Sequence, residues 1–370
     1  MAAHKWPARD WILLPLVAVI TFLVLAIPAE WLFRKAYPQI LEDSCVRLVP
    51  GQSYVRARPN CVAKLKTAEG VWTENRYNAC GYRTPEGCGP KPAGAIRFAV
   101  VGSSTGAGYV TPYSETMAAR TAAALKQACH NPVEFQNLGL AGEKSVRLVA
   151  RTREALALGP DALLVVISPF DFEAAPEAAG AQAGAAVGNR QILRRIKMNV
   201  QQSRLLYMGS YAVLRDDASY LPVYLGSGEN PAFMRSPLNA RWQGKLRDFE
   251  ASIASVGQLA QAAHAPAWLV FVPQRAQAAL IASNQALPDG IVPHQLPDLL
   301  NGIATRHGLG FVDSTREIPK RIASAKLFYA VNGHINGQGH AMVSRAILRS
   351  LAGPERPDFL QGCTIDQKSL

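Results

Sequence analysis

Residues 96–108 read IRFAVVGSSTGAG, and this transition from strand to turn indicates the class of fold. The first six residues are apolar except for Arg97, which predicts a buried strand. The glycines that follow permit a tight turn, and Ser104 lies within it. A serine on such a turn presents its hydroxyl at the edge of a sheet, so we take Ser104 as a candidate nucleophile.

Further apolar strands alternate with helical patterns after this stretch. We predict strands at 96–101, 133–137, 162–168, 267–272 and 311–313, and helices at 115–128, 146–158, 240–263, 296–307 and 337–351. Such alternation is typical of a parallel sheet covered by helices on both faces, a three-layer α/β/α fold. Ligands bind such sheets outside the carboxyl ends of the strands. Ser104, Gly142, Asp171 and His334 all lie just after a strand or in loops expected at that edge.

A long apolar segment precedes this region. Residues 11–29 contain no charged side chain and would form a helix roughly 28 Å long, which matches a bilayer core. Trp11 and Trp31 flank it, as interfacial tryptophans do. We therefore predict a membrane anchor at 11–33 with residues 1–10 in the cytoplasm. A cleaved signal peptide is the alternative, although its apolar region would normally be only about 7–15 residues long.

All six cysteines follow the anchor: Cys45, Cys61, Cys80, Cys88, Cys129 and Cys363. An even number of thiols on one side of a membrane favours disulfides in an oxidising compartment, here the periplasm of an inner-membrane protein. Local spacing favours the pairs Cys80–Cys88 and Cys45–Cys61, and six buried free thiols are the alternative. Four of the cysteines, with several prolines, lie in residues 34–94, which we interpret as a cap or stalk.

The net charge of +12 restricts the classes of partner. A basic surface suits anionic lipid head groups or an acidic polysaccharide, although solubility alone would also explain it. Nucleic acid is not expected, because no basic stripe is interleaved with aromatic residues. An insertion at 173–237 begins with a low-complexity part at 173–188 and leaves from the third strand, so it either covers the site or is a surface addition. Residues 353–370 form a C-terminal tail.

Four short blocks resemble the SGNH (GDSL-type) hydrolase family over residues 95–352. They are Gly102-Ser103-Ser104 with Gly108, Asn137 to Gly142, Ser168 to Asp171, and Asn332 to His340. The resemblance implies a flavodoxin-like sheet, Ser104 as nucleophile, His334 as general base and the Gly142 N–H as an oxyanion donor. A phosphate-binding loop is the rival interpretation of the first block, but the lysine of a P-loop is missing.

Two positions depart from the family pattern. Phe170 replaces an asparagine whose amide would donate to the oxyanion, and losing one such donor typically costs about 10²–10³ in rate. We expect Phe170 and Asp171 to line the substrate site. Asn332 stands where the family has the aspartate that orients the histidine. Its carbonyl could accept from the imidazole, or a carboxylate from elsewhere, Asp313 or Asp171, could serve instead.

The sequence thus predicts a membrane-anchored serine esterase or acyltransferase that acts on O-acyl esters, most simply O-acetyl, of an envelope or exported polysaccharide. A degenerate member that binds glycan or scaffolds an envelope complex is the alternative, since two site positions are substituted. No metal or cofactor is expected, because the sequence has no H-E-x-x-H motif and no grouped metal-ligand set.

Overall fold

A computed structural model describes residues 10–50, 54–143, 145–172, 203–283, 285–353 and 356–365. The strands are β1 (Val46–Leu48), β2 (Val55–Ala57), β3 (Val62–Leu65), β4 (Thr73–Arg76), β5 (Ile96–Gly102), β6 (Val133–Asn137), β7 (Ala162–Ile167), β8 (Ala267–Phe271) and β9 (Gly310–Asp313). The helices are α1 (Asp10–Ala36), α2 (Ser104–Ala107), α3 (Met117–Ala128), α4 (Leu148–Leu156), α5 (Arg204–Leu214), α6 (Asp217–Leu225), α7 (Ala240–Ala262), α8 (Arg275–Ala282), α9 (Gln295–Arg306) and α10 (Gly337–Leu351).

The five strands from β5 to β9 form one parallel sheet in the order β6-β5-β7-β8-β9. Counted from β5, this is the order 2-1-3-4-5 of the flavodoxin-like doubly wound fold. The order changes direction at β5, so the turn that follows β5 lies at the switch point where such sheets bind ligands. The predicted parallel sheet and its strand positions are confirmed.

Helices cover both faces of the sheet because the side chains of each strand alternate between them. Phe98 and Val100 of β5 belong to a core shared with α3 and α10. Ala99 and Val101 belong to a second core shared with α4, α7 and α9. Both sets are fully buried, which explains why β5 is an almost continuous apolar run.

Helix boundaries differ from the predictions by at most two residues. The helix predicted to begin at residue 115 begins at Met117, because the hydroxyl of Thr116 accepts a hydrogen bond from Ala119 N (3.3 Å) and caps it. Tyr113–Glu115 forms a separate 3-10 turn before that cap.

The described residues of the predicted cap or stalk pack against the sheet domain, and we call this segment the cap. Two antiparallel hairpins, β1–β2 and β3–β4, lie here. Leu65 and Tyr77 share a small core with Val110 and Leu140, which follow the strands β5 and β6. Disulfides Cys45–Cys61 and Cys80–Cys88 join residues within the cap, which confirms the two favoured pairs.

The remaining disulfide, Cys129–Cys363, joins the end of α3 to the C-terminal region. It connects residues 234 positions apart, so local spacing gave no indication of it. All six cysteines lie in the part of the chain that the structure describes, and all are paired.

Helix α1 is long and apolar enough at Leu13–Ala36 to cross a membrane, a test that a signal sequence also passes. Near its end, the carboxylate of Glu30 accepts hydrogen bonds from Ser203 Oγ (2.8 Å) and Arg204 N (3.0 Å) at the start of α5. Residues 203–237 of the predicted insertion contain α5 and α6. Its low-complexity part, 173–188, lies outside the described residues.

Candidate active site

Ser104 is the first residue of the short helix α2, directly after β5. The turn requires glycine at position 102, because a Cβ there would lie 2.6 Å from the carbonyl oxygen of Val166 on the neighbouring strand. A second contact fixes α2 from the other side, since Asn137 Nδ2 donates to Gly106 O (3.1 Å). The sheet thus holds the serine at its carboxyl edge, where the sequence predicted it.

His334 reaches the same edge from the loop before α10. Its Nε2 lies 2.9 Å from Ser104 Oγ, and its Nδ1 lies 2.7 Å from Asn332 Oδ1. An Asn carbonyl only accepts, so Nδ1 carries the proton and Nε2 is left to accept from the serine. This is the tautomer that a general base requires.

The orientation of the Asn332 amide is itself fixed. The backbone N–H of His334 also points at Asn332 Oδ1 (3.4 Å), so two donors converge on the same oxygen. A flipped amide would direct its NH₂ group at both donors and lose both contacts. Asn332 therefore occupies the place of the family's aspartate and supplies an acceptor without a charge.

Two aromatic rings enclose the imidazole. Tyr109 lies 5.0 Å from it between ring centroids, and Phe170 stacks on it at 6.4 Å with an angle of 18°. Burial lowers the pKa of His334 to about 4, and a hydrogen bond to the backbone of Asn332 opposes this shift. At neutral pH the imidazole is therefore uncharged and competent to take a proton.

Two backbone N–H groups, those of Gly142 and Ser104, are candidate oxyanion donors. Gly142, predicted as an oxyanion donor, is exposed with φ of 86°, and no described residue accepts a hydrogen bond from its N–H. The N–H of Ser104, at the first position of α2, has no partner within that helix. Backbone N–H groups without a partner are the donors that an oxyanion site requires.

Phe170 and Asp171 lie in the 3-10 turn Pro169–Phe172 after β7. Phe170 is 41% exposed and borders both His334 and a cleft of about 350 Å³. Asp171 is buried, and its Oδ2 accepts from Ser168 N (2.6 Å) and Ser168 Oγ (3.1 Å). Its position is that of a residue that organises this turn.

The carboxylates suggested as substitutes for the missing aspartate do not contact His334. Asp171 is bonded to Ser168, and Asp313 Oδ1 accepts from Thr315 N (3.0 Å) and Thr315 Oγ1 (2.6 Å). That hypothesis is wrong, because both side chains are committed to their own turns at the ends of β7 and β9. The partner of the imidazole is Asn332.

Two charged residues of the cap hold the site, and the sequence analysis missed both. Arg83 is fully buried and donates to Ala107 O (2.6 Å), Gly108 O (2.7 Å) and Thr111 O (2.7 Å), just after the candidate nucleophile. Burial lowers its pKa to about 10, so it remains charged at neutral pH. Glu69 accepts from three backbone N–H groups of the loop that carries His334. Neither residue lies in a motif, so no local signal could have identified them.

The described residues contain no group of three or more His, Cys, Asp or Glu side chains that could hold a metal ion. His340, which the family pattern also contains, is buried in α10 and accepts from Met117 N (3.3 Å).

No protein-family model matches the chain, and no curated protein is similar to it. Among solved structures, similar folds include an α/β hydrolase enzyme from the metagenome of Lake Arreo in Spain, at 14% identity and a TM-score of 0.41, covering 72% of this chain and 97% of that one. A member of the lipolytic G-D-S-L family from Veillonella parvula has 14% identity and a TM-score of 0.35, covering 68% and 96%. The psychrotrophic esterase EstA from Pseudoalteromonas sp. has 11% identity and a TM-score of 0.37, covering 69% and 96%. Sequence identities and TM-scores this low say nothing about activity, so a function can be proposed only from the geometry of the site.

Proposed function

We propose that this chain is a serine esterase or acyltransferase. The observation that carries the proposal is the continuous contact from Ser104 Oγ to His334 Nε2 (2.9 Å) and from His334 Nδ1 to Asn332 Oδ1 (2.7 Å). A hydroxyl, a neutral imidazole in the required tautomer and two backbone donors are the groups that acyl transfer needs. The family resemblance of the four blocks supports the same conclusion.

The reaction proceeds in two steps. Ser104 Oγ attacks the carbonyl carbon of the ester while His334 Nε2 takes the hydroxyl proton, and the N–H groups of Ser104 and Gly142 receive the oxyanion. Collapse of the intermediate breaks the ester C–O bond, and the imidazolium gives its proton to the leaving alcohol. Water or a second alcohol then attacks the acyl-serine, with His334 again as base, and restores the free serine.

The cleft beside Phe170 supports a proposal for the substrate class. Phe170 and Tyr224 line it with aromatic surface, while Arg241 and Lys245 contribute positive charge and Glu229 one negative charge. Aromatic faces next to polar and cationic groups suit sugar rings that carry acidic groups. We therefore propose an O-acyl, most simply O-acetyl, ester on an envelope or exported polysaccharide, in agreement with the net charge of +12.

The proposed location is the outer face of the inner membrane, with the domain in the periplasm. Three disulfides that use all six cysteines support an oxidising compartment, and α1 is suited to anchor the domain. The proposed division of the chain is an anchor at 11–33, the cap at 34–94 and the hydrolase-like domain at 95–352.

Acetate release from an acetylated acidic polysaccharide, and from p-nitrophenyl acetate, tests the proposal. The full chain in detergent should release acetate from both, and Ser104→Ala should abolish release. Ser103→Ala is the matched control, since this neighbouring serine makes no side-chain hydrogen bond at the start of α2. Turnover by Ser104→Ala at the parent rate would disprove the serine mechanism. A folded parent that binds the polysaccharide without any turnover would favour the degenerate binding subunit, which the loss of an amide donor at Phe170 motivates.

A further inference from the structure

Three consecutive backbone N–H groups of the histidine loop converge on one carboxylate. Glu69 Oε2 accepts from Ala330 N (2.8 Å), and Glu69 Oε1 accepts from Val331 N (3.0 Å) and Asn332 N (3.2 Å). Successive N–H groups in a turn form a concave nest that binds an anion. Here the anion is a side chain of the cap, more than 260 residues earlier in the sequence.

The insertion meets the same carboxylate. Tyr207 of α5 donates its hydroxyl proton to Glu69 Oε1 (2.9 Å). Burial and the adjacent Glu69 carboxylate raise the pKa of Tyr207 above its usual value, so the hydroxyl remains a donor at any physiological pH. With this contact Glu69 has four hydrogen-bond donors, which matches the acceptor capacity of a carboxylate.

The loop is also held from its opposite side. Arg275 Nη1 donates to Ala330 O (2.6 Å), so the N–H and the carbonyl of Ala330 are both bonded to buried or partly buried charged groups. The peptide N–H of Asn332 is fixed two residues further along. The backbone of Asn332 is therefore held by contacts from outside its loop, in addition to bonds within the loop such as Gly333 N to Tyr329 O (2.8 Å).

The orientation of an amide matters more here than that of a carboxylate would. A carboxylate accepts through either oxygen, whereas an amide has one accepting end and one donating end. If the Asn332 backbone shifts and the amide turns over, its NH₂ group faces His334 Nδ1. The proton then moves to Nε2, and the imidazole cannot accept from Ser104.

We propose that Glu69 is a positioning residue of the site: from the cap, it holds the backbone of Asn332 so that the amide keeps His334 in the tautomer that accepts from Ser104. The inference rests on the proposed Ser–His function and extends it to a residue outside the hydrolase-like domain. A carboxylate thus supports His334 indirectly: it binds the backbone of the histidine loop and does not contact the imidazole.

The test is Glu69→Gln in the full chain in detergent micelles, with histidines labelled with ¹⁵N and the His334 signals assigned by their loss in His334→Gln. The parent should show a protonated Nδ1 and an unprotonated Nε2. Glu69→Gln keeps the size of the side chain but turns one acceptor into a donor that faces the nest. It should show a mixture of tautomers and a fall of at least about tenfold in kcat for p-nitrophenyl acetate, with KM within about twofold.

Glu154→Gln is the matched control. Glu154 binds Arg56, Tyr82 and Arg151 and does not contact the histidine loop. It should lower the melting temperature while leaving both the His334 spectrum and kcat at parent values. Tyr207→Phe removes one of the four donors to Glu69 and leaves the three backbone contacts in place. It should therefore lower kcat less than Glu69→Gln does.

A parent-like His334 spectrum in folded Glu69→Gln would overturn the proposal, as would equal changes in the spectrum of Glu154→Gln. Absence of ester turnover by the parent would instead count against the proposed function. The tautomer measurement then still decides the role of Glu69, because it does not depend on activity.

Discussion

Replacing Asn332 by aspartate should restore the charge that the histidine lacks. The acceptor lies 2.7 Å from His334 Nδ1, so an aspartate of the same shape would form a charge-assisted hydrogen bond there. Two unit charges about 4 Å apart interact by about 4 kcal/mol at an effective dielectric of 20. His334 is only partly buried by surface area, and we halve this figure to about 2 kcal/mol for screening by solvent.

The pKa of His334 should rise in this variant. An anion favours the protonated imidazole, so Asn332→Asp should raise the pKa of His334 by about 1.5 units from its value of about 4. The base works only when deprotonated, so kcat/KM falls as pH drops through this pKa. The acid limb of the profile should therefore move from about pH 4 in the parent to about pH 5.5 in the variant. At pH 7 the imidazolium formed during the reaction is stabilised, and kcat should rise by about 10–30-fold.

The assay is the pH dependence of kcat/KM for p-nitrophenyl acetate between pH 3.5 and 8, over a range in which both proteins stay folded. Asn336→Asp is the matched control, because Asn336 lies in the same loop and caps α10 through Gln338 N (2.9 Å) without contacting the imidazole. It adds the same charge and should move the limb by only a few tenths of a unit at most. An unchanged limb together with an unchanged or lower rate in Asn332→Asp would refute the assignment of Asn332 as the orienting residue.

Three other changes have defined outcomes. Phe170→Ala exposes the imidazole to water and should raise its pKa by about one unit, so the acid limb of kcat/KM moves upward; a downward shift would contradict the role of burial. Gly139→Ala places a Cβ 2.5 Å from the backbone of α2 and should lower stability by about 1–3 kcal/mol in thermal unfolding, whereas Gly209→Ala, where nothing lies within 4 Å, should be neutral or stabilising. Replacing Cys129 and Cys363 together by serine removes a link across 234 positions and should cost about 2–5 kcal/mol, which a melting temperature equal to the parent's would contradict.

The sheet could be predicted from sequence because short stretches of residues are enough to mark its strands. Three of the five core strands, β5, β7 and β8, are runs of five to seven residues that are apolar apart from Arg97, and β7 (ALLVVI) is buried at every position. The tight approach of Gly102 to Val166 is likewise visible as a glycine at the end of such a run. For the same reason Ser104 and His334 could be selected, since each lies within a short motif.

The supports of the site could not be predicted, because they are single residues that act over long distances. Glu69 and Arg83 lie in a cap with little periodicity, and they reach loops whose sequences contain no matching partner. A backbone N–H or carbonyl is present at every position, so a side chain that binds backbone leaves no pairing signal. The Cys129–Cys363 disulfide could not be predicted for a related reason. Six cysteines allow 15 pairings, and spacing favours only pairs that are close in sequence.

Ser104 and His334 should form a working pair although the orienting residue is Asn332. Labelling of the full chain with a fluorophosphonate probe tests this pair, with the modified residue located by mass spectrometry. One label is expected on Ser104 in the parent and in Ser103→Ala, and none in Ser104→Ala or His334→Ala. A folded parent that takes no label, or a His334→Ala variant labelled at the parent rate, would contradict it.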